Sequence, residues 1–522
     1  MAQLHRYYRQ RFFNLFQQKS FHHHRASLLQ CRNLNLVINY NDINIKRRIH
    51  TSGILLSSND TLYQHEHDIS RSFIMPQQQT NDQIISSLND TAYVSFISHQ
   101  EIRDRQQNLM LLACEHLRKI QPSFKNLSPL ILIATPPPQY QGNTKIPVNE
   151  CKQNTDFTYL TGLHSGTSDQ LTSNCVLAIF LENPDCIDSC RSIIFSSNRT
   201  KSEKQWHGPE LNVQYELWLK QICDCQPLTE LVNFINKHIK PYRRDMFISR
   251  KTLEYRPELV THLKFYLKSS TTSFDKEMEK WSTSLGQTIQ SVNIRDISLF
   301  IDQLRVIKSS QEVKAMKRVG HIGALALTNT IEWSRQLFST TNTNDNPSFT
   351  FIESHIDAKF NFESKLLGAR HQSFPSVCAS GPRATIIHYG RNDHIITRND
   401  NDNCWILTDV GCEDVDGYCC DISRTWPIDM NRNSIKNDKF QLQSQLYEAL
   451  IGIQHELVNS ITIGHTSLND LNQLMLIIMA RILPEFNMFD ESVSNDDVRN
   501  IIKRLCPHHV SHYLGNSMNF ID

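Results

Sequence analysis

The chain runs to 522 residues, room for two or three domains and an ample core. Apolar and aromatic residues make up 39% and charged residues 20%, the balance of a soluble globular protein, and a net charge of +1 gives no reason to expect a nucleic-acid partner. The greasiest run, "PLILIA" at 129–134, has the length of a strand, so no membrane span is expected.

Residues 1–41 lack Asp and Glu but carry Arg6, Arg9, Arg11, Lys19, Arg25 and Arg32, interleaved with apolar residues as in "RYYRQRFFNLFQQ". A basic, acid-poor, amphipathic segment is what a mitochondrial presequence requires. The expectation is a presequence over 1–53, cleaved near "RRIHTSG", then a polar linker over 54–90. The mature protein is expected in the mitochondrial matrix, with the cytoplasm as the alternative. Fourteen scattered cysteines, with Cys419 and Cys420 adjacent, suit such a reducing compartment better than a disulfide scaffold.

From 91 onward helical and strand signals alternate. "ISHQEIRDRQQNLMLLACEHLRKI" (97–120) puts Leu109, Leu112 and Leu117 on a helix. "LILIAT" reads as a buried strand, and "NCVLAIFLE" (174–182) and "SIIFSS" (192–197) as two more. Together they define an α/β or α+β domain over 91–290. Cys186, Cys190, Cys223 and Cys225 have spacings unlike those of zinc ribbons or fingers, and read as ordinary thiols.

A second unit, 300–522, opens on Ser309–Ser310 as a helix N-cap with Glu312 in the first turn. Its apolar stripe is read as Val313, Met316, Gly320, Gly323 and Leu327. "SHIDAKFNFESKLLGAR" (354–370) is a second helix stopping at Gly368, and a third runs from about 438 to 460. Between them, "CWILTD" (404–409) and "YCCDISRTWPI" (418–428) form an antiparallel pair.

Two acids, Asp409 and Asp421, stand within those strands, where Asp is disfavoured. A two-residue turn at Asp416–Gly417 would set Asp409 opposite Arg424 and point Asp421 away. An odd loop, with Gly417 in a left-handed bulge after a type I turn, puts both carboxylates on one face. The second geometry is expected, and the resulting repulsion calls for a cation. "CPHHVSHYLG" (506–515) adds His508 and His512, which share a face if the stretch is extended. Two aspartates and a histidine suit Mn²⁺, Co²⁺ or Zn²⁺. His388, read as ending a strand in "ATIIHYG" (384–390), is a further candidate.

The order of these segments resembles the aminopeptidase P family, in particular its mitochondrial branch. "TDVGCEDVDGYCCDISRTWP" is similar to the family's first metal motif, "PHHVSHYLG" to its histidine motif and "IIHYG" to its substrate-side histidine. "FTYLTG" (157–162) and "WHGPE" (206–210) resemble signatures of its N-terminal domain. The resemblance spans about 140–515 and implies an aminopeptidase P N-terminal domain followed by a pita-bread catalytic domain. It implies Asp409, Asp421 and His512 as metal ligands, and His388 and His508 as catalytic residues that contact substrate and stabilise the transition state. Two Mn²⁺ ions, with Co²⁺ or Zn²⁺ as alternatives, would activate a hydroxide. The implied reaction releases the first residue of proline-containing peptides in which proline stands second, and the resemblance is compatible with a homodimer.

Two departures qualify the match. Asp409 and Asp421 are twelve apart where the family has eleven, so the turn must absorb one residue. After Gly515 the chain reads "NSMNFID", where the family continues with a further histidine and two glutamates, one of them the general base. The expectation is a truncated form of a peptidase with an incomplete pita-bread domain and one metal weakly held or missing. The alternatives are a catalytically dead binding module and a prolidase-like dipeptidase. Creatinase-like chemistry needs no metal, and the two aspartates weigh against it.

Overall fold

The first sheet follows from continuous apolar runs. Strands β1 (Leu130–Ala134), β2 (Val176–Leu181) and β3 (Cys190–Ser196) are joined by β4 (Asp224–Pro227), β5 (Met246–Ile248) and β6 (Ile294–Asp296). Their order is β4-β3-β2-β1-β5-β6, antiparallel within β1–β2–β3 and parallel at β3–β4, β1–β5 and β5–β6. Every residue of β1 and β2 is buried, because both faces of the sheet are covered. Ile131 and Ile133 pack towards helix α1 (His99–Ile120), while Leu130, Leu132 and Ala134 pack on the other side with Leu231 and Phe234. Ser98 caps α1, its Oγ accepting from the Glu101 N–H at 3.2 Å.

This is a computed structural model that describes residues 95–516 apart from 123–127, 139, 143–152, 164–171, 208–210, 212–220, 240–244, 256–293, 342–349, 397–404, 429–437 and 487–492. The expected presequence and linker lie outside the described residues. "FTYLTG" forms a short helix, α2 (Thr155–Thr161), ended by Gly162 at φ 67°.

In the second half, α3 (Ser298–Val306) leads into α4 (Ser310–Thr341). A reciprocal cap opens α4: Ser309 Oγ accepts from the Glu312 N–H, and Glu312 Oε2 accepts from the Ser309 N–H. Its buried stripe is Ala315, Val319, Ile322, Ala326 and Leu327, rotated from the expected one. A Cβ at Gly320 would meet nothing, but one at Gly323 would lie 2.4 Å from Cys420 Sγ, so only Gly323 serves close packing. Helix α5 (Glu353–Leu366) ends at Gly368, φ 104°, as its sequence suggests. Strands β7 (His371–Gln372), β8 (Val377–Ser380), β9 (Trp405–Val410), β10 (Cys412–Glu413) and β11 (Ile422–Pro427) follow, with sheet orders β10-β7 and β11-β9-β8. Helices α6 (Asp438–Asn459), α7 (Leu468–Ile482) and α8 (Asn495–Leu505) complete the described part.

The described residues fall within one compact unit. One apolar cluster holds Leu109 and Phe157 together with Val319, Cys412 and Tyr418, so the regions expected as separate domains share a core. Cys186, Cys190, Cys223 and Cys225 are free thiols. Among the described residues no helix is long and apolar enough to cross a membrane.

Candidate metal centre

The site is built on the β9–β11 hairpin. Asp409 lies opposite Ser423, Thr408 opposite Arg424 and Val410 opposite Ile422. The ladder continues to the tip: the Cys420 N–H donates to the Cys412 carbonyl at 2.9 Å, and the Asp414 N–H to the Tyr418 carbonyl at 3.0 Å. Val415, Asp416 and Gly417 remain as an odd, three-residue turn, with Gly417 left-handed at φ 75°. Asp421, two residues before Ser423, therefore shares a face with Asp409. The odd turn thus gives the shared face that the sequence predicts.

Ser423 Oγ donates to Asp409 Oδ1 at 2.8 Å, and Asp421 lies near enough for its charge to act on Asp409. Burial pushes the Asp409 carboxyl above the ordinary range; the Ser423 hydrogen bond opposes this, and the charge of Asp421 adds to the rise. His512 Nε2 lies 3.0 Å from Asp421 Oδ2, and its Nδ1 lies 2.8 Å from the Tyr513 carbonyl. Both ring nitrogens face acceptors, which only the imidazolium satisfies. The hydrogen bond to Asp421 pushes His512 up to about 9, against the opposing effect of burial.

His512 is delivered by the segment that follows it. The Cys419 N–H donates to the Gly515 carbonyl at 2.9 Å, and Asn516 Nδ2 donates to the carbonyls of Asp416 and Gly417. The stretch 506–515 bends instead of running extended, so even spacing does not carry both histidines to the carboxylates. His508 is exposed, and its Nδ1 pairs with the His509 carbonyl at 2.8 Å. His388 does not end a strand. It stands in a turn after a 3₁₀ helix, Gly381–Thr385, because Gly381 at φ 56° and Pro382 bend the chain there. It is exposed and close enough for its charge to act on Asp409.

Sequence reasoning passed over the residue that holds this turn. Glu353, fully buried at the start of α5, accepts from the Ser380 N–H and Oγ, Arg383 Nε, Tyr389 OH and the His394 N–H. Burial penalises its charge, yet these hydrogen bonds outweigh it and leave the carboxyl below the ordinary range. Tyr389 and Arg383 flank His388, so Glu353 fixes the loop that presents it. An acid in the first turn of a helix is commonplace in sequence, and only the fold reveals its donors.

The donor types suit a divalent cation: two neighbouring carboxylates with no Lys or Arg paired to either among the described residues, and one imidazole. The three are strung in series, Asp409 to Asp421 to His512. Among the described residues no three His, Cys, Asp or Glu side chains are gathered closely enough to enclose one ion.

Comparisons with known proteins identify the family. The model of metallopeptidase family M24 matches residues 314–521, and that of the aminopeptidase P N-terminal domain matches 105–247. Xaa-Pro aminopeptidase 3 of Rattus norvegicus is 26% identical over 422 residues, covering 80% of this chain and 71% of that protein. The mitochondrial intermediate cleaving peptidase 55 of Arabidopsis thaliana is 27% identical over 234 residues, covering 45% and 40%. Among solved structures, aminopeptidase P from E. coli with the inhibitor Pro-Leu superposes with a TM-score of 0.59 at 20% identity, over 82% of each chain. Fold and hairpin thus define an M24-type metallopeptidase with the pita-bread architecture. With its additional N-terminal domain, the chain belongs to the aminopeptidase P family.

Proposed function

We propose that the protein is a metal-dependent Xaa-Pro aminopeptidase, releasing the N-terminal residue of peptides with proline in second position. The observation that carries this reading is the pairing of Asp409 and Asp421 on one face, with no guanidinium on either among the described residues, met by His512 from 91 residues further along. These three residues would hold the metal, Mn²⁺ in first place with Co²⁺ or Zn²⁺ as alternatives. A divalent ion there supplies Lewis acidity, making water acidic enough to act as a nucleophile at neutral pH.

The chain's own residues supply the rest. The Ser423 hydroxyl orients Asp409 through Oδ1. The Tyr513 carbonyl holds a proton of His512 on Nδ1, which leaves Nε2 as the nitrogen that would serve a metal. His388, presented by the Glu353-clamped turn, would donate a hydrogen bond to the substrate carbonyl oxygen as charge builds there. His508 takes the same kind of role once it leaves the His509 carbonyl.

We further propose the matrix of the mitochondrion as the site of action. The basic, acid-poor N-terminus and the mitochondrial relative support it. The matched segments, 105–247 and 314–521, support a division into an N-terminal domain over 91–290 and a catalytic domain over 300–522.

The test uses the purified chain, stripped with chelator and reloaded with Mn²⁺, on a tripeptide with proline second, on its dipeptide and on an alanine-second control. Release from the proline tripeptide is expected. Release from the dipeptide alone points to a prolidase, and absence of both metal uptake and release points to a binding module.

A further inference from the structure

We propose that Cys412 and Cys420 form a disulfide in response to hydroperoxides, beside the carboxylate of Asp421. The two cysteines oppose each other across the hairpin, with the Cys420 N–H donating to the Cys412 carbonyl at 2.9 Å and the Cys412 N–H to Cys420 Sγ at 3.2 Å. Their sulfurs are 3.4 Å apart, and both thiols are free and buried. Opposed residues in an antiparallel pair have Cα atoms about 4.5–5.5 Å apart, inside the roughly 4.4–6.8 Å that disulfides span. A bond is therefore within reach, and closing the sulfurs from 3.4 Å asks for a small approach of the two strands as well.

Packing keeps Cys420 aimed at its partner. Its sulfur rests on helix α4 at Gly323, where even a Cβ would intrude at 2.4 Å. Rotation towards the helix is blocked. Cys419, the adjacent residue, projects to the opposite face of the strand, and its N–H is held by the Gly515 carbonyl.

The chemistry balances without a further reagent. One sulfur attacks the peroxide O–O bond, giving a sulfenic acid and water. The second sulfur then displaces hydroxide from the sulfenic sulfur, so the S–S bond forms as the S–O bond breaks. Two thiols and one hydrogen peroxide yield one disulfide and two waters; the sulfurs lose two electrons, the peroxide gains them, and both thiol protons end in water. Closing the sulfurs to about 2.05 Å draws residue 420 towards 412 and displaces Asp421, which follows directly in the chain. This last consequence rests on the metal reading; the bond itself does not.

The experiment treats the reduced full-length chain with hydrogen peroxide, blocks free thiols under denaturing conditions and cleaves after glutamate. Glu413 lies between the two cysteines, so a link joins separate peptides. A reductant-sensitive link between the Cys412 and Cys420 peptides is expected, kept in Cys419→Ser and lost in Cys420→Ser. Recovery of both cysteines as blocked thiols, or a link through Cys419, would overturn the proposal. Mn²⁺ titration gives the second readout: oxidation should weaken uptake by at least about tenfold, reversibly, as disturbed outer-shell contacts do, and Cys420→Ser should be indifferent to peroxide. Unchanged uptake by linked protein overturns the coupling to Asp421. If the reduced chain takes up no Mn²⁺, the metal reading fails and the link is judged on the peptides alone.

Discussion

The hairpin carries two pairs of aspartates, and they are treated in opposite ways. At its tip, Asp414 and Asp416 are buried, and Arg318 of helix α4 reaches both, Nη2 lying 2.6 Å from one and 2.7 Å from the other. Backbone N–H groups of Asp416 and Tyr418 donate to Asp414, and that of Phe96 to Asp416. Towards its open end, Asp409 and Asp421 share a face and feel each other's charge, with Ser423 and His512 as their partners. The first pair is compensated by a guanidinium that belongs to the fold. The second has one imidazolium, His512, for two acids, and an ion could supply further positive charge. Two acids on a hairpin do not by themselves suggest a metal site; what sets this pair apart is that no arginine reaches it among the described residues.

That contrast can be broken most forcefully at Arg318. Arg318→Met strands two buried carboxylates and should cost about 3–5 kcal/mol, read as a large fall in thermal midpoint. An unchanged midpoint would mean that the tip is not held by charge. Asp409→Asn should do the reverse: the metal-free chain keeps or gains stability as repulsion is relieved, while calorimetric Mn²⁺ uptake weakens by more than about a hundredfold, beyond what outer-shell losses cause.

Asp302 offers an intermediate case. Arg305 lies 3.8 Å from it but is closer to Asp156, at 2.9 Å. Burial pushes Asp302 up to about 6; Arg305 opposes this, and Asp156 adds to it. The folded state thus holds the proton more tightly than the unfolded chain. This group's contribution favours folding below its unfolded value near 4 and is lost as pH rises through about 6. Asp302→Asn should remove roughly 2 kcal/mol of that decline, seen as a flatter midpoint-against-pH curve between pH 4 and 6. The smallest effect belongs to Tyr418, whose OH donates to Glu312 and accepts from Arg105. Tyr418→Phe should cost about 1 kcal/mol in urea unfolding, because Arg105 and Glu312 stay close enough, at 3.5 Å, to satisfy each other.

Much of the hairpin was legible before any fold was known. The strands, the left-handed Gly417 and the shared face of Asp409 and Asp421 are local matters of pleat and turn, set within about twenty residues. The Ser309–Glu312 cap and the stop at Gly368 are of the same kind. His388 was misplaced because "TIIHY" has β-forming residues, whereas Gly381, Pro382 and the Glu353 clamp override that preference.

By itself, the sequence determined that two acids would meet on one side of a ribbon once Gly417 makes the turn an odd one, since alternation along a strand depends only on covalent geometry. The tertiary structure alone decided which acid pair receives an arginine, that His512 and not His508 reaches Asp421, and that Cys420 is pressed towards Cys412. Those outcomes depend on partners that lie about ninety to a hundred residues away, or on a helix face packed against the ribbon. Spacing along the chain does not encode them; packing in space does.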